Sequence, residues 1–276
     1  MEQFFICCDS ADLYFYLLKY KNIKFEVDGN RTRIVEHVHQ NGTLIKLSFI
    51  HKQINKDLYN KYTNKVLAQT AGTPDYIVLN DKEEVLLVLE DSKTAPVGNA
   101  IYQRGDKMWR LITNQNLTYP VKVIMPKNGI DLSNKKNRSW HQSHFYKNFA
   151  KYREDIFELV ESQDDVYETV FKNIVDTCLG MGIARQNITK EELIKLHDAM
   201  LKNIKTYKNN HFRGKLFQPD GSPAHPTQST LMVISEVRKE LGLEPVFINS
   251  IYKELFKKTK SKRIDIIKAN GVDWYE

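Results

Sequence analysis

The chain has 276 residues, of which 41% are hydrophobic and 27% charged, a balance that excludes a disordered polypeptide and gives enough length for one large domain or two small ones. No apolar run approaches the roughly 20 residues that cross a bilayer, and the opening Met-Glu-Gln-Phe-Phe-Ile-Cys-Cys-Asp-Ser is no signal peptide, so a cytoplasmic chain with no membrane partner is expected. The net charge of +7 suits a polyanionic partner, although a chain this rich in Lys and Asn reaches that value without one.

In chain order, Ala11 to Tyr20 reads as a short amphipathic helix. A β-meander follows: Lys24 to Val27, the turn Asp28-Gly29-Asn30, Arg33 to His39, the turn Gln40-Asn41-Gly42, then Leu44 to Ile50. Residues 52 to 69 carry Ile54, Leu58, Tyr62 and Val66 at helical spacing. Tyr76 to Leu79 and Val85 to Leu89 are apolar strands joined by a turn near 80 to 84, and the second, apolar on both faces, belongs in the middle of a sheet. Asn99 to Thr113 reads as a helix and Tyr119 to Met125 as a strand closed by Pro126. Beyond a polar loop at 127 to 139 the pattern is helical over 144 to 161, 164 to 180 and 189 to 207, the last opened by the capping box Thr189-Lys-Glu-Glu192. A turn-rich stretch, Asn209 to Pro226, precedes a helix over 227 to 241 that stops at Gly242, and the tail from Tyr252 to Lys268 is basic. The expected division is an α/β unit over 1 to 126 and a mostly helical unit over 127 to 276 packed on it.

Cys7, Cys8 and Cys178 form neither a disulfide framework nor a CxxC knuckle. His37 with His39, or His141 with His144, lack further ligands at zinc-site spacing. There is no Gly-x-x-x-x-Gly-Lys-Ser/Thr loop, so ATP is not an expected partner.

The chemistry concentrates where the two central strands meet. Asp75 stands at the mouth of the first, and Glu90-Asp91-Ser92-Lys93 closes the second. Residues 91 and 93 point the same way about 7 Å apart. Asp75 precedes Asp91 by 16 positions, which suits an antiparallel pair. Two carboxylates can hold Mg²⁺ against a phosphodiester, and a lysine beside them can orient the attacking water or stabilise the phosphorane-like transition state. Asp91 shares the face of Lys93, whereas a strand bulge would make Glu90 the second ligand. Glu36 in the meander is a candidate extra metal ligand, and Gln103 a candidate for positioning the water.

Pro74-Asp75, then Asp91-Ser92-Lys93 after an apolar strand, resembles the motif of the PD-(D/E)xK nuclease superfamily, with aspartate in the second acidic place. The following Val97-Gly98-Asn99-Ala100-Ile101-Tyr102-Gln103-Arg104 is similar to the helix after this motif in type II restriction endonucleases, and the resemblance spans residues 52 to 125. It implies a restriction-endonuclease-like core, a mixed central sheet flanked by helices. It also implies Mg²⁺-dependent cleavage of double-stranded DNA, one or two ions, and 5′-phosphate and 3′-hydroxyl ends. Sequence-specific cleavage of a duplex palindrome further implies a homodimer.

Base and phosphate contacts call for Arg, Lys, Asn and Gln, and three segments mix them. One holds Lys135, Lys136, Arg138, His141 and Gln142. Another holds Asn210, His211, Arg213 and Lys215. A third holds Lys260, Lys262 and Arg263, and Arg104 is a further candidate for phosphate. The competing expectations are a structure-selective repair or recombination nuclease with the same centre, and a DNA-binding protein without catalysis.

Overall fold

A computed structural model describes residues 2–10, 12–17, 24–27, 33–38, 42–53, 55–67, 73–91, 111–112, 117–126, 146–162, 165–180, 189–211, 235, 238–244 and 257–270. They form an α/β fold around a mixed sheet of eight strands: β1 (Glu2–Cys8), β2 (Lys24–Val27), β3 (Arg33–Val38), β4 (Leu44–His51), β5 (Tyr76–Leu79), β6 (Val85–Asp91), β7 (Val121–Pro126) and β8 (Phe157–Ser162). Their spatial order is β2-β3-β4-β1-β5-β6-β7-β8. The meander β2-β3-β4 is antiparallel, β1 runs parallel to β4 and antiparallel to β5, and β6, β7 and β8 are parallel neighbours. Among the described residues no helix is long and apolar enough to cross a membrane.

Helices cover both faces of the sheet, which is why β6 can be apolar on both faces as far as Leu89. On one face α2 (Lys56–Leu67) contributes Tyr59, Tyr62 and Val66, joined by Tyr146 and Phe149 of the helical stretch 146–152 and by Leu196 of α4 (Lys190–His211). On the other, α1 (Asp12–Leu17) supplies Leu13 and Leu17, and α3 (Val166–Cys178) supplies Val166, Val170 and Ile174. The cysteines alternate with the pleat, Cys7 facing the first cluster and Cys8 the second. Burial pushes the Cys8 and Cys178 thiols up to about 12, with a smaller push on Cys8 from the charge of Asp9, so both behave as buried apolar groups.

Two elements differ from the sequence expectation. Residues 2–8 form β1, between β4 and β5, where only a helix from residue 11 is expected. Phe-Phe-Ile-Cys-Cys has no alternation to mark it, because a strand inside a two-faced sheet buries both sides. Residues 157–162 form β8 rather than the end of a helix over 144 to 161. Phe-Glu-Leu-Val-Glu-Ser fits either period, and pairing along β7 from Val121↔Phe157 to Pro126↔Ser162 decides for the strand. The sheet therefore draws on residues from both sides of the expected division at 126/127.

Local signals explain the remaining elements. Asn55 caps α2 by accepting the Leu58 amide at 3.2 Å, and Asp165 caps α3 by accepting that of Tyr167 at 2.8 Å. Thr189 and Glu192 exchange backbone bonds of 3.2 and 2.8 Å as a capping box at α4. Gly242 takes φ 74° after the helical turn 238–240, its amide bonded to Lys239 O at 3.0 Å and that of Leu243 to Arg238 O at 2.8 Å, the glycine-terminated helix stop expected there.

The β5–β6 turn is held by the Asn80 side chain, whose Oδ1 accepts the Lys82 and Glu84 amides at 3.0 and 2.8 Å. Glu83 follows with φ 63°, unusual for a residue with a Cβ. It is kept there by α2: its carboxylate pairs with Lys61 and Lys65 and accepts the Tyr62 hydroxyl. Hydrogen bonds from Lys61 and then Lys65 lower its pKa to about 2.

His197 of α4 is fully buried, and burial first, then the positive charge of Arg238, lowers its pKa to about 4. Its neutral form is thus the folded form. The unfolded chain takes up a proton near pH 6.5 that the folded chain refuses until about pH 4, so stability is complete above 6.5 and falls with pH across that window. The loss is on the order of 3 kcal/mol at its lower end. Denaturant titrations at pH 7.5 and 4.5 check this: His197→Leu is expected to flatten the difference, and an unchanged slope would rule His197 out as its source.

Candidate active site

The end of β6 is where the apolar run gives way to charge. β6 lies between β5 and β7, so its last two residues, Glu90 and Asp91, are carried into the interior with the strand and are 0% and 6% exposed. Two adjacent carboxylates at that depth cost several kcal/mol unless paired, hydrogen-bonded or balanced by a cation. Asp75, half-buried, is beside them. Tyr76 pairs with Leu89, so one further register step sets Asp75 opposite Glu90. The Asp75 amide donates to Glu90 Oε2 at 3.3 Å, and the Asp91 amide donates to Asp75 Oδ2 at 2.9 Å.

The pleat separates the two acidic neighbours. Glu90 alternates with Leu89, on the face of Ile77, Val88 and Val123 that α2 covers. Asp91 is on the α3 face with Leu89 and Ile124, where its Oδ2 accepts the buried Tyr76 hydroxyl at 2.9 Å. Burial first, then the Asp91 charge and hydrogen bond, push the Tyr76 hydroxyl far above its ordinary range and keep it a donor. The sequence offers Glu90 as a reserve second ligand, through a strand twist or bulge converging it with Lys93, which lies outside the described residues. Ordinary register brings Glu90 to the Asp75 backbone, and the β5–β6 irregularity is between Val78 and Leu79, away from the site. Asp91 meets Asp75 through its amide.

The expectation for Glu36 is corrected. It is on β3, in register with Lys24 and Lys46, and β4 and β1 stand between β3 and β5. At about 4.8 Å per strand that is roughly 14 Å of lateral separation, too far for a shared metal. Lys93, Gln103, Arg104, Lys135, Lys136, Arg138, His141, Gln142, Arg213 and Lys215 lie outside the described residues. Asn210 and His211 end α4, while Lys260, Lys262 and Arg263 are in the first turns of α5 (Lys260–Asn270). There the Arg263 guanidinium donates to Lys258 O at 2.7 Å, and Lys262 is exposed.

The sequence reading missed two residues at this end of the sheet. Cys8 pairs with both His51 and Tyr76, so the next step sets Asp9 between Lys52 and Asp75. The Asp9 amide donates to Asp75 O at 3.2 Å, and Lys52 Nζ pairs with Asp9 Oδ1 at 2.8 Å. Lys52, Asp9, Asp75 and Glu90 thus form a row across β4, β1, β5 and β6. The only signal in the sequence was Cys-Cys-Asp closing an apolar run, which becomes informative once residues 2–8 are known to be a strand.

The donor set is hard oxygen, which suits Mg²⁺ better than zinc. Among the described residues no group of three or more His, Cys, Asp or Glu forms a metal cage. Mg²⁺ asks for less, since it is commonly held by one or two carboxylates with water and phosphate completing its shell. Asp75 supplies one such carboxylate, and Asp91 and Glu90, each hydrogen-bonded to it through a backbone amide, are the two candidates for a second.

No family model matches the chain, and no curated protein matches it. Two solved structures are similar over 96% of both chains: the cytosolic domain of the T. maritima FeoB iron transporter in a GDP form, at 12% identity and TM-score 0.32, and in an apo form, at 11% and 0.33. At TM-scores of that size nothing about those domains transfers to this chain.

Proposed function

We propose that the chain is a Mg²⁺-dependent DNA endonuclease with a restriction-endonuclease-like core, of the sequence-specific type II kind and acting as a homodimer. The observation that carries this is the buried pair Glu90 and Asp91 at the end of an apolar central strand, tied through backbone amides to Asp75. Structural carboxylates at strand ends are ordinarily solvated, so two withdrawn from water beside a third suit a cation site. The resemblance of Pro74-Asp75 and Asp91-Ser92-Lys93 to the PD-(D/E)xK motif supports the same chemistry.

In this assignment Asp75 and Asp91, with Glu90 as the alternative second ligand, hold the ion. Bound Mg²⁺ would neutralise the phosphate, make water a better nucleophile and stabilise the leaving oxygen. Lys93 is assigned to orient the water or stabilise charge on the phosphorus. The Asp91 amide holds the Asp75 carboxylate in one orientation. Lys52, 48% exposed in the row with Asp75, is suited to a neighbouring phosphate of the bound strand.

Digestion of a sequenced plasmid with Mg²⁺, with and without EDTA, tests the assignment. Discrete fragments with 5′-phosphate ends, lost on chelation, support it, and intact DNA at all Mg²⁺ concentrations would sink it. Cutting confined to junctions, flaps or ends would replace sequence-specific cleavage by structure-selective cleavage. Lys52→Ala is expected to weaken binding about equally across DNA sequences and to reduce the salt dependence of log Kd by about one ion. Salt titrations of both proteins check this, and an unchanged slope would remove Lys52 from the DNA interface.

A further inference from the structure

We infer that Tyr76 is a positioning residue for the metal-binding carboxylates, holding Asp91 through the hydrogen bond from its hydroxyl. The inference rests on the nuclease assignment above and adds a residue to it. Tyr76 follows Asp75 directly, yet the pleat turns its side chain to the other face of the sheet, where Asp91 is. Leu89 is its paired neighbour and Asp91 comes two residues later, so the phenol reaches along β6 to the strand end. There it donates to Asp91 Oδ2 at 2.9 Å, with Tyr76 2% and Asp91 6% exposed.

The surroundings make this bond directional. Val78, Leu87 and Leu89 of the same face, with Ile124 of β7 and Val170 of α3, pack the ring in an apolar cluster. An ionised carboxylate can only accept, so the hydroxyl must donate. With Oδ2 engaged, the orientation of the Asp91 carboxylate is tied to that of the packed ring. The Asp91 amide in turn holds Asp75 Oδ2 at 2.9 Å. A chain thus runs from the Tyr76 hydroxyl through Asp91 to the carboxylate of Asp75, and two adjacent residues, the first of β5 and the one before it, contribute both its ends. Partners that orient metal-binding side chains in this manner are typically worth ten- to a hundredfold in metal affinity or activity.

The test is Tyr76→Phe in the full chain, which removes one oxygen and keeps the ring packed. Half-saturating Mg²⁺ for plasmid cleavage is expected to rise ten- to a hundredfold, with much of the rate recovered at saturating metal. Calorimetric binding of Mn²⁺ in the absence of DNA should weaken by a similar factor. In an Asp91→Asn background, Tyr76→Phe should change Mn²⁺ affinity no further, since the two act as one unit. A residue that only packs would lower the melting temperature and leave the metal titrations where they were. Wild-type cleavage and Mn²⁺ binding with unchanged titrations for Tyr76→Phe would overturn the role of Tyr76 and leave the nuclease assignment intact. Failure of the wild-type chain both to cleave DNA and to bind Mn²⁺ would overturn both.

Discussion

Asp75→Asn is expected to lower Mg²⁺-dependent DNA cleavage by about a thousandfold or more while leaving DNA binding in place. The substitution removes a charge and keeps an oxygen that can still accept the Asp91 amide, so the strand end should stay ordered. What disappears is the half of the site that stands outside the strand and is the least buried of the three carboxylates. Lys93→Ala should produce a loss of similar order, at the transition state rather than in metal affinity. Comparing Glu90→Gln with Asp91→Asn then separates the two candidates for the second ligand. The true ligand should cost as much as Asp75 and raise the metal requirement. The other should cost mainly stability, because each is buried and bonded near Asp75. Single-turnover cleavage and gel-shift binding on the same duplex measure both quantities. Cleavage that survives both Asp75→Asn and Lys93→Ala would show that the centre lies elsewhere.

Arg153→Ala should destabilise the fold by about 3–5 kcal/mol, a large share of the 5–15 kcal/mol that holds a typical domain together. Arg153 is 1% exposed and follows the helical stretch 146–152, just ahead of β8. Its guanidinium binds Asp155 twice, Nε to Oδ1 at 2.8 Å and Nη2 to Oδ2 at 2.9 Å, and Nη1 donates to the carbonyl of Ile112. Removing it leaves a largely buried carboxylate and a buried carbonyl without their donor, together with a void. Arg153→Lys should recover little, because an ammonium cannot reproduce the planar fork. The double change Arg153→Met with Asp155→Leu should recover much of the loss, because a hydrophobic pair of similar volume carries no uncompensated charge. Urea unfolding of the four proteins checks the series, and an Arg153→Ala midpoint within experimental error of the wild type would contradict it. The consequence reaches the site, since this junction seats β8 beside β7, and β7 supports the end of β6.

Much of the architecture was legible residue by residue, wherever the signal was local. Asn41-Gly42, the Thr189–Glu192 box and Gly242 each specify a backbone geometry within a few residues, and among the described residues the structure has β3 and β4, α4 and the helical turn 238–240 at those places. The apolar run Val85 to Leu89 announced a central strand, and the acidic residues at its end announced the candidate site. Elements whose identity depends on neighbours were not legible. Residues 2–8 and 157–162 become strands because β4, β5 and β7 offer them backbone partners, a fact about residues far away in the chain.

The same division runs through the site. By itself the sequence determined that Asp75, Glu90 and Asp91 gather at one end of a β5–β6 pair, because hairpin length and alternation depend only on residues 75 to 91. The tertiary structure decided which face each carboxylate takes, that Tyr76 holds one of them, and that Asp9 and Lys52 extend the row. It also decided that Glu36 is remote, with two strands between β3 and β5. Those outcomes depend on strand order and register across the sheet. They are chosen by the summed burial of two apolar clusters and the pairing of backbone groups, which no short stretch of sequence contains.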